Sequence, residues 1–160
     1  MTSLGRRFSA LVLVLLLPLL LLSRAHAAAG AYEAELPAEL ATARDLCALV
    51  PCKDVFPGAT HFSERKGQPP YVEAYDQASE PRKLLGYVML STDITDTPAY
   101  SGKPVVTLIG MDTQGRFVGV KVLKHSEPIL LLGIPESALL NFNAQYLGKS
   151  VADKIEVGQS

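Results

Sequence analysis

His125-Ser126-Glu127-Pro128 sets an imidazole and a carboxylate two residues apart, just before the apolar run Ile129-Leu130-Leu131-Leu132-Gly133-Ile134. Upstream, the polar loop Tyr100-Ser101-Gly102-Lys103-Pro104 runs into an apolar strand. Together these segments have the chemistry of a pocket for a large flat ligand, which needs apolar walls and a few placed polar groups. The apolar run supplies wall, and Gly133 gives room for close approach. Ser101 and Gly102 offer backbone N–H groups, and His125 and Glu127 offer polar edges. Taken singly, each has an ordinary reading: the run is core, Gly102 is a turn glycine, His125 is a surface histidine. No Ser/His/Asp or Cys/His order points to nucleophilic catalysis.

Two further groups of residues bear on chemistry. Cys47 and Cys52 are separated by four residues that include Pro51. On a continuous helix their Cα atoms would be too far apart to bridge, but a break at Pro51 brings them together. A disulfide, two free thiols and a metal or redox pair all fit this spacing, although two thiols without a histidine cluster make a poor metal site. Asp93 and Asp96, with Thr92, Thr95 and Thr97, have cation-binding chemistry but more ordinarily cap turns.

The first residues read as a targeting segment. Arg6 and Arg7 precede an apolar run over 8–22, and Ala25-His26-Ala27 follows as an A-x-A cleavage site. Fifteen helical residues rise only about 22 Å, short of a hydrocarbon core of about 30 Å. Cleavage is therefore expected after Ala27, which makes 1–27 a signal peptide and the protein exported; a retained anchor is the alternative. Its oxidising compartment permits a disulfide. Loss of 1–27 removes three arginines and no acid, leaving 12 basic and 16 acidic residues in 133, a net charge of −4. That balance argues against nucleic acid as a partner.

The remainder suits one domain. Residues 36–50 carry Leu36, Leu40, Ala43, Cys47 and Val50 at helical spacing, and 55–70 is rich in turn residues. Strands are expected over 71–76, 83–92, 105–111 and 117–124. Leu85, Tyr87 and Met89 should share one face, as should Val118, Val120 and Val122. Asp112-Thr113-Gln114-Gly115 reads as a hairpin turn with Gly115 at positive φ. A helix over 135–147 should bury Leu139, Phe142 and Tyr146. Short turns between strands exclude a parallel sheet, and no G-x-G-x-x-G follows a strand. The expected fold class is α+β, a curved antiparallel sheet with packed helices. The organisation is 1–27 signal peptide, 28–70 helix and loop region, 71–160 main domain.

In their order and spacing, Tyr100-Ser101-Gly102-Lys103-Pro104, His125-Ser126-Glu127-Pro128 and Gly133-Ile134-Pro135-Glu136 resemble the FMN-binding domain of the NosR/NirI family. These are membrane flavoproteins that support nitrous oxide reduction. A more distant resemblance is to the flavin subunits of sodium-pumping NADH:quinone reductases and Rnf complexes. The resemblance implies FMN as cofactor, with Ser101, Gly102, His125, Glu127 and Pro128 lining it. It implies an electron-transfer component rather than a stand-alone enzyme, working at the periplasmic face of the inner membrane. The implied partners are the nitrous oxide reductase system and membrane electron-transfer proteins. Regulation of nitrous oxide reductase expression is a further implied role. The family attaches flavin through a threonine in an S-G-A-T type motif beyond the last helix, and none occurs before Ser160. The domain is thus expected to be incomplete at its C-terminus, with FMN held by contacts alone and membrane contact only through a part outside this chain. Gly58-Ala59-Thr60 lies ahead of the sheet and reads as a plain turn. An exported interaction or sensing domain without flavin is the alternative.

Overall fold

The computed structural model describes residues 38–153. The proposed signal peptide lies outside them, as do Leu36 and the last seven residues. Five antiparallel strands form one open sheet in sequence order. They are β1 (His61–Phe62), β2 (Val72–Tyr75), β3 (Leu84–Leu90), β4 (Val106–Asp112) and β5 (Phe117–Lys124). Six short helices accompany them: α1 (Ala38–Thr42), α2 (Leu46–Leu49), α3 (Cys52–Val55), α4 (Ser91–Ile94), α5 (Pro128–Leu131) and α6 (Glu136–Ala144). The α+β class and antiparallel sheet are as expected, and β3 is the central strand of the five. The first strand, β1, lies in the stretch read as turns; it pairs His61 with Tyr75 and Phe62 with Ala74.

The helix expected over 36–50 is broken in two. The Asp45 side chain accepts a hydrogen bond from the Ala48 N–H at 3.1 Å and starts α2 anew. An N-cap of this kind competes with continuation of the preceding helix. Arg65 donates from Nη1 to the carbonyls of Leu40 and Ala41 at 2.7 and 3.1 Å, taking up acceptors that the end of α1 leaves free. Its guanidinium also pairs with Asp93, both side chains being almost wholly buried. Asp93 is therefore an ion-pair partner rather than a turn cap. At Val50 the backbone becomes extended, and α3 begins directly after Pro51. This turn brings the Cα atoms of Cys47 and Cys52 to 5.3 Å, and the two form a disulfide.

One sheet face carries the core. Val72, Ala74, Val88, Leu90, Val106 and Leu108 are buried against Leu46, Val50, Cys52, Val55, Phe56 and Ala59. Side chains alternate along a strand, so Tyr87, Met89, Thr107 and Ile109 point the other way and are only half-buried. Three bulges interrupt the alternation. The register shifts between Ala74 and Tyr75 opposite β3, and twice between β4 and β5. The residues left without a partner are Leu85, Val118 and Leu123, and all three pack against the core. An extra residue re-aims its side chain. Leu85 therefore does not share a face with Tyr87 and Met89, nor Val118 with Val120 and Val122.

Helix α3 comes down on the sheet where side chains are missing. Gly110 and Gly119 are direct cross-strand partners, and a Cβ on either would overlap the backbone carbonyl of Val55. Beside them, a Cβ on Gly86 would collide with the Met111 carbonyl and the Phe56 ring. Backbone is thus packed directly on backbone, a contact that no larger residue permits.

Gly119→Ala or Gly110→Ala should lower stability by about 3 kcal/mol through overpacking against immovable backbone. Gly58→Ala, which meets nothing within 4 Å, should stay within about 0.5 kcal/mol of the parent. Urea unfolding of the three variants checks this, and equal midpoints would remove the seating argument.

Candidate functional site

On the face away from the core, α5 and α6 stand off the sheet and leave a cleft of about 640 Å³. Its floor is Thr107 and Ile109 of β4 with Phe117, Val120 and Val122 of β5. The bulge at Val118 keeps Phe117 in phase with Val120 and Val122, so one strand gives three residues to the floor. Leu139, Phe142 and Tyr146 form the opposite wall, with Ile129, Leu130 and Ile134 at the α5 end. Tyr146 meets Phe117 and Phe142 edge to face, at centroid distances of 6.0 and 5.8 Å. The stripe Leu139, Phe142, Tyr146 is therefore a cleft wall and not buried core; Phe142 is 52% exposed. Asn143 is the buried residue of α6 and also lines the cleft. A helix set against a sheet through one edge leaves its apolar stripe facing space.

Glu127 closes one end. It is buried and accepts a hydrogen bond on Oε1 from the backbone N–H of Ser101 at 3.1 Å. The Ser101 hydroxyl and the Ser101 N–H hold its carboxyl below its ordinary value against the opposing effect of burial, with smaller contributions from nearby His125 and then from the Tyr100 N–H. Its carbonyl accepts from the N–H groups of Leu130 and Leu131, each at 3.2 Å, which starts α5 with Pro128 in the first turn. Pro suits that position because its missing N–H is not needed there. Glu127 therefore ties the 99–103 loop to the start of α5.

Of the five residues expected at the site, Ser101, Glu127 and Pro128 come together. Gly102 belongs to the same loop as a turn residue, with φ of +77° and its N–H on the Ala99 carbonyl at 3.0 Å. His125 is on a hollow of about 280 Å³ with Leu123 and Glu136, which shares Val122, Leu130, Ile134 and Leu139 with the main cleft. Its Nδ1 is buried and has no hydrogen-bond partner among the described residues. Tyr100, Pro128, Leu132 and Gly133 line a third hollow of about 540 Å³ that shares Glu127, Ile129 and Ile134 with the main cleft. The floor residues escaped the sequence reading, although strand alternation was the available signal; the bulge masked it at Val118. Thr60 gives its hydroxyl to the Asp76 carbonyl and its N–H to the Tyr75 carbonyl, so that motif is structural. No cluster of metal-ligating side chains occurs among the described residues.

The cleft's volume lies within the range of small-molecule sites, and its walls suit the faces of a flat aromatic ring. Its polar edges are Ser91, Thr107, Glu127 and Asn143. An isoalloxazine ring fits this chemistry.

Because the folded state lowers the Glu127 pKa, the tether contributes stability above the ordinary glutamate pKa and loses it as pH falls through the folded value. The gap in Tm between the parent and Glu127→Ala should be largest at neutral pH and narrow steadily below about pH 4. A gap that is constant with pH would show that the carboxylate does not hold the loop.

Three relatives are similar to parts of this sequence. The regulatory protein NosR of Stutzerimonas stutzeri is 46% identical over 78 residues, covering 49% of this chain and 11% of that protein. NosR of Pseudomonas aeruginosa is 40% identical over 106 residues, covering 66% and 14%. The protein NirI of Paracoccus denitrificans is 36% identical over 55 residues, covering 34% and 8%. The chain thus spans less than a sixth of the length of each relative. No family model and no solved structure matches it. Identity at this level with both NosR and NirI proteins places the chain in the NosR/NirI family.

Proposed function

We propose that the chain is an exported flavin-binding module of the denitrification system, holding FMN through its ring in the cleft between β4–β5 and α6. The observation that carries this reading is the cleft itself: aromatic and aliphatic walls, with one carboxylate fixed by Ser101 at its end. A bound flavin supplies one- and two-electron redox chemistry. The chain's own part is to bind the ring between the β-strand floor and Phe142 and Tyr146, to exclude water from its faces, and to orient its edge toward Glu127. In this reading the module works at the periplasmic face of the inner membrane, in electron transfer that supports nitrous oxide reduction. The nitrous oxide reductase system and membrane electron-transfer proteins are its partners. Regulation of nitrous oxide reductase expression is proposed alongside, in keeping with the name NosR carries in two relatives. No helix among the described residues is long and apolar enough to cross a membrane.

A second reading is an interaction or sensing domain without flavin. The exposed rim favours it, since Tyr100 is 91% and Leu132 87% exposed, and an apolar rim is a docking feature.

Titration of FMN into the full chain should quench flavin fluorescence with a Kd below about 100 µM. Phe142→Ala should weaken binding about tenfold by removing one aromatic wall. No quenching by the folded parent would discard the flavin reading in favour of the second. Export is checked separately: the chain secreted by a bacterial host should have the mass of a protein lacking residues 1–27, and a full-length mass would overturn the proposed signal.

A further inference from the structure

We propose that the cleft selects the uncharged part of a flavin, binding riboflavin and lumiflavin at least as tightly as FMN, with no seat in it for the phosphate. This inference rests on the reading of the cleft as a flavin site. Among the 16 residues that line the cleft, the only formally charged side chain is that of Glu127, and its charge is negative. One adjoining hollow shares Glu127 and adds Tyr100, Pro128, Leu132 and Gly133, with no cation; the other, behind Val122, Leu130, Ile134 and Leu139, adds His125 together with a second carboxylate, Glu136, and neither holds an Arg or a Lys.

A phosphate site needs the opposite arrangement: Arg or Lys side chains, or several converging backbone N–H groups. The N–H of Ser101 at the cleft mouth already serves Glu127. Helix α6 opens with Glu136 in its first turn, which makes that end unfavourable to an anion. Three of the chain's cations are engaged elsewhere: Lys121 pairs with Asp54, Lys66 with Glu73, and Arg116 donates to the Gly148 carbonyl at 3.0 Å. A phosphate monoester carries nearly two negative charges at neutral pH. Placed about 10 Å from Glu127 in water, it would be repelled enough to cost about fourfold in affinity. The ring, neutral and flat, meets only apolar wall and four polar edges.

The test is a titration of the full chain with FMN, riboflavin and lumiflavin, at low and at high salt. Riboflavin should bind as tightly as FMN or up to about fourfold tighter, and the difference should close at high salt as the repulsion is screened. In Glu127→Gln, the ratio of FMN to riboflavin affinity should move toward FMN by about fourfold. FMN binding more than about threefold tighter than riboflavin to the parent would overturn this inference while leaving the flavin reading intact. An unchanged ratio in Glu127→Gln would overturn the role given to that carboxylate. If none of the three flavins binds, the reading of the cleft fails, and this inference with it.

Discussion

The contact on which the rest of the structure depends is the seating of α3 on Gly110 and Gly119. Sheet and helix normally meet through side chains, about 10 Å apart between layers. Here the missing side chains let the Val55 backbone lie against the strands. Val55 and Phe56 are thereby buried, and Cys52, one turn earlier, is drawn into the core. The disulfide then carries that position back to α2, where Leu46 is fully buried. The closed loop is short, and a cross-link of this size removes about 2 kcal/mol of chain entropy from the unfolded state. The buried Arg65–Asp93 pair ties the same N-terminal region to α4. Removing one partner of such a pair is expensive because the other charge is left buried and uncompensated.

Covering one face so closely has a consequence for the other. The helices N-terminal to the sheet are spent on the core face, and the far face of β4 and β5 is left to α5, α6 and the start of α4, whose Ser91 hydroxyl donates to the Val105 carbonyl and accepts from the Thr107 N–H. These helices are short, and just past the end of α6 Tyr146 meets Phe117 of β5 edge to face. The apolar residues that alternation sends to this side, Ile109, Val120 and Val122, therefore line open space. The bulges sharpen the division. Each diverts one leucine or valine into the core, so the residues left on the far side are those that the core does not need.

Much of this was legible in the sequence, and the failures have physical causes. The hairpin was readable because Asp112 can bond its own turn: its carboxylate accepts from Gln114 and Arg116 at 2.9 and 2.8 Å, and Gly115 takes a φ of +76°. The pairing of Ser101 with Glu127 was legible only as two segments that should meet, without the hydrogen bond that joins them. The break at Asp45 was hidden because the apolar spacing of a helix continues through it, while the cap that interrupts it is a local side-chain bond. Strand faces were misassigned at Leu85 and Val118 because a period of two has no memory of an inserted residue. Gly86, Gly110 and Gly119 are each a place where another backbone arrives, which no spacing in the sequence marks. Arg65 and Asp93 are 28 positions apart, and nothing in either neighbourhood names the other.

Glu127 joins these two levels. Its backbone carbonyl starts α5, its side chain fixes the 99–103 loop, and the same carboxylate is the charge that a cleft ligand meets. A group with all three duties cannot be tuned for one alone. A stronger tether makes the carboxylate more firmly ionised, and a more firmly ionised carboxylate makes the cleft end more hostile to anions. The loop's order and the charge presented at the end of the cleft therefore rest on the same side chain.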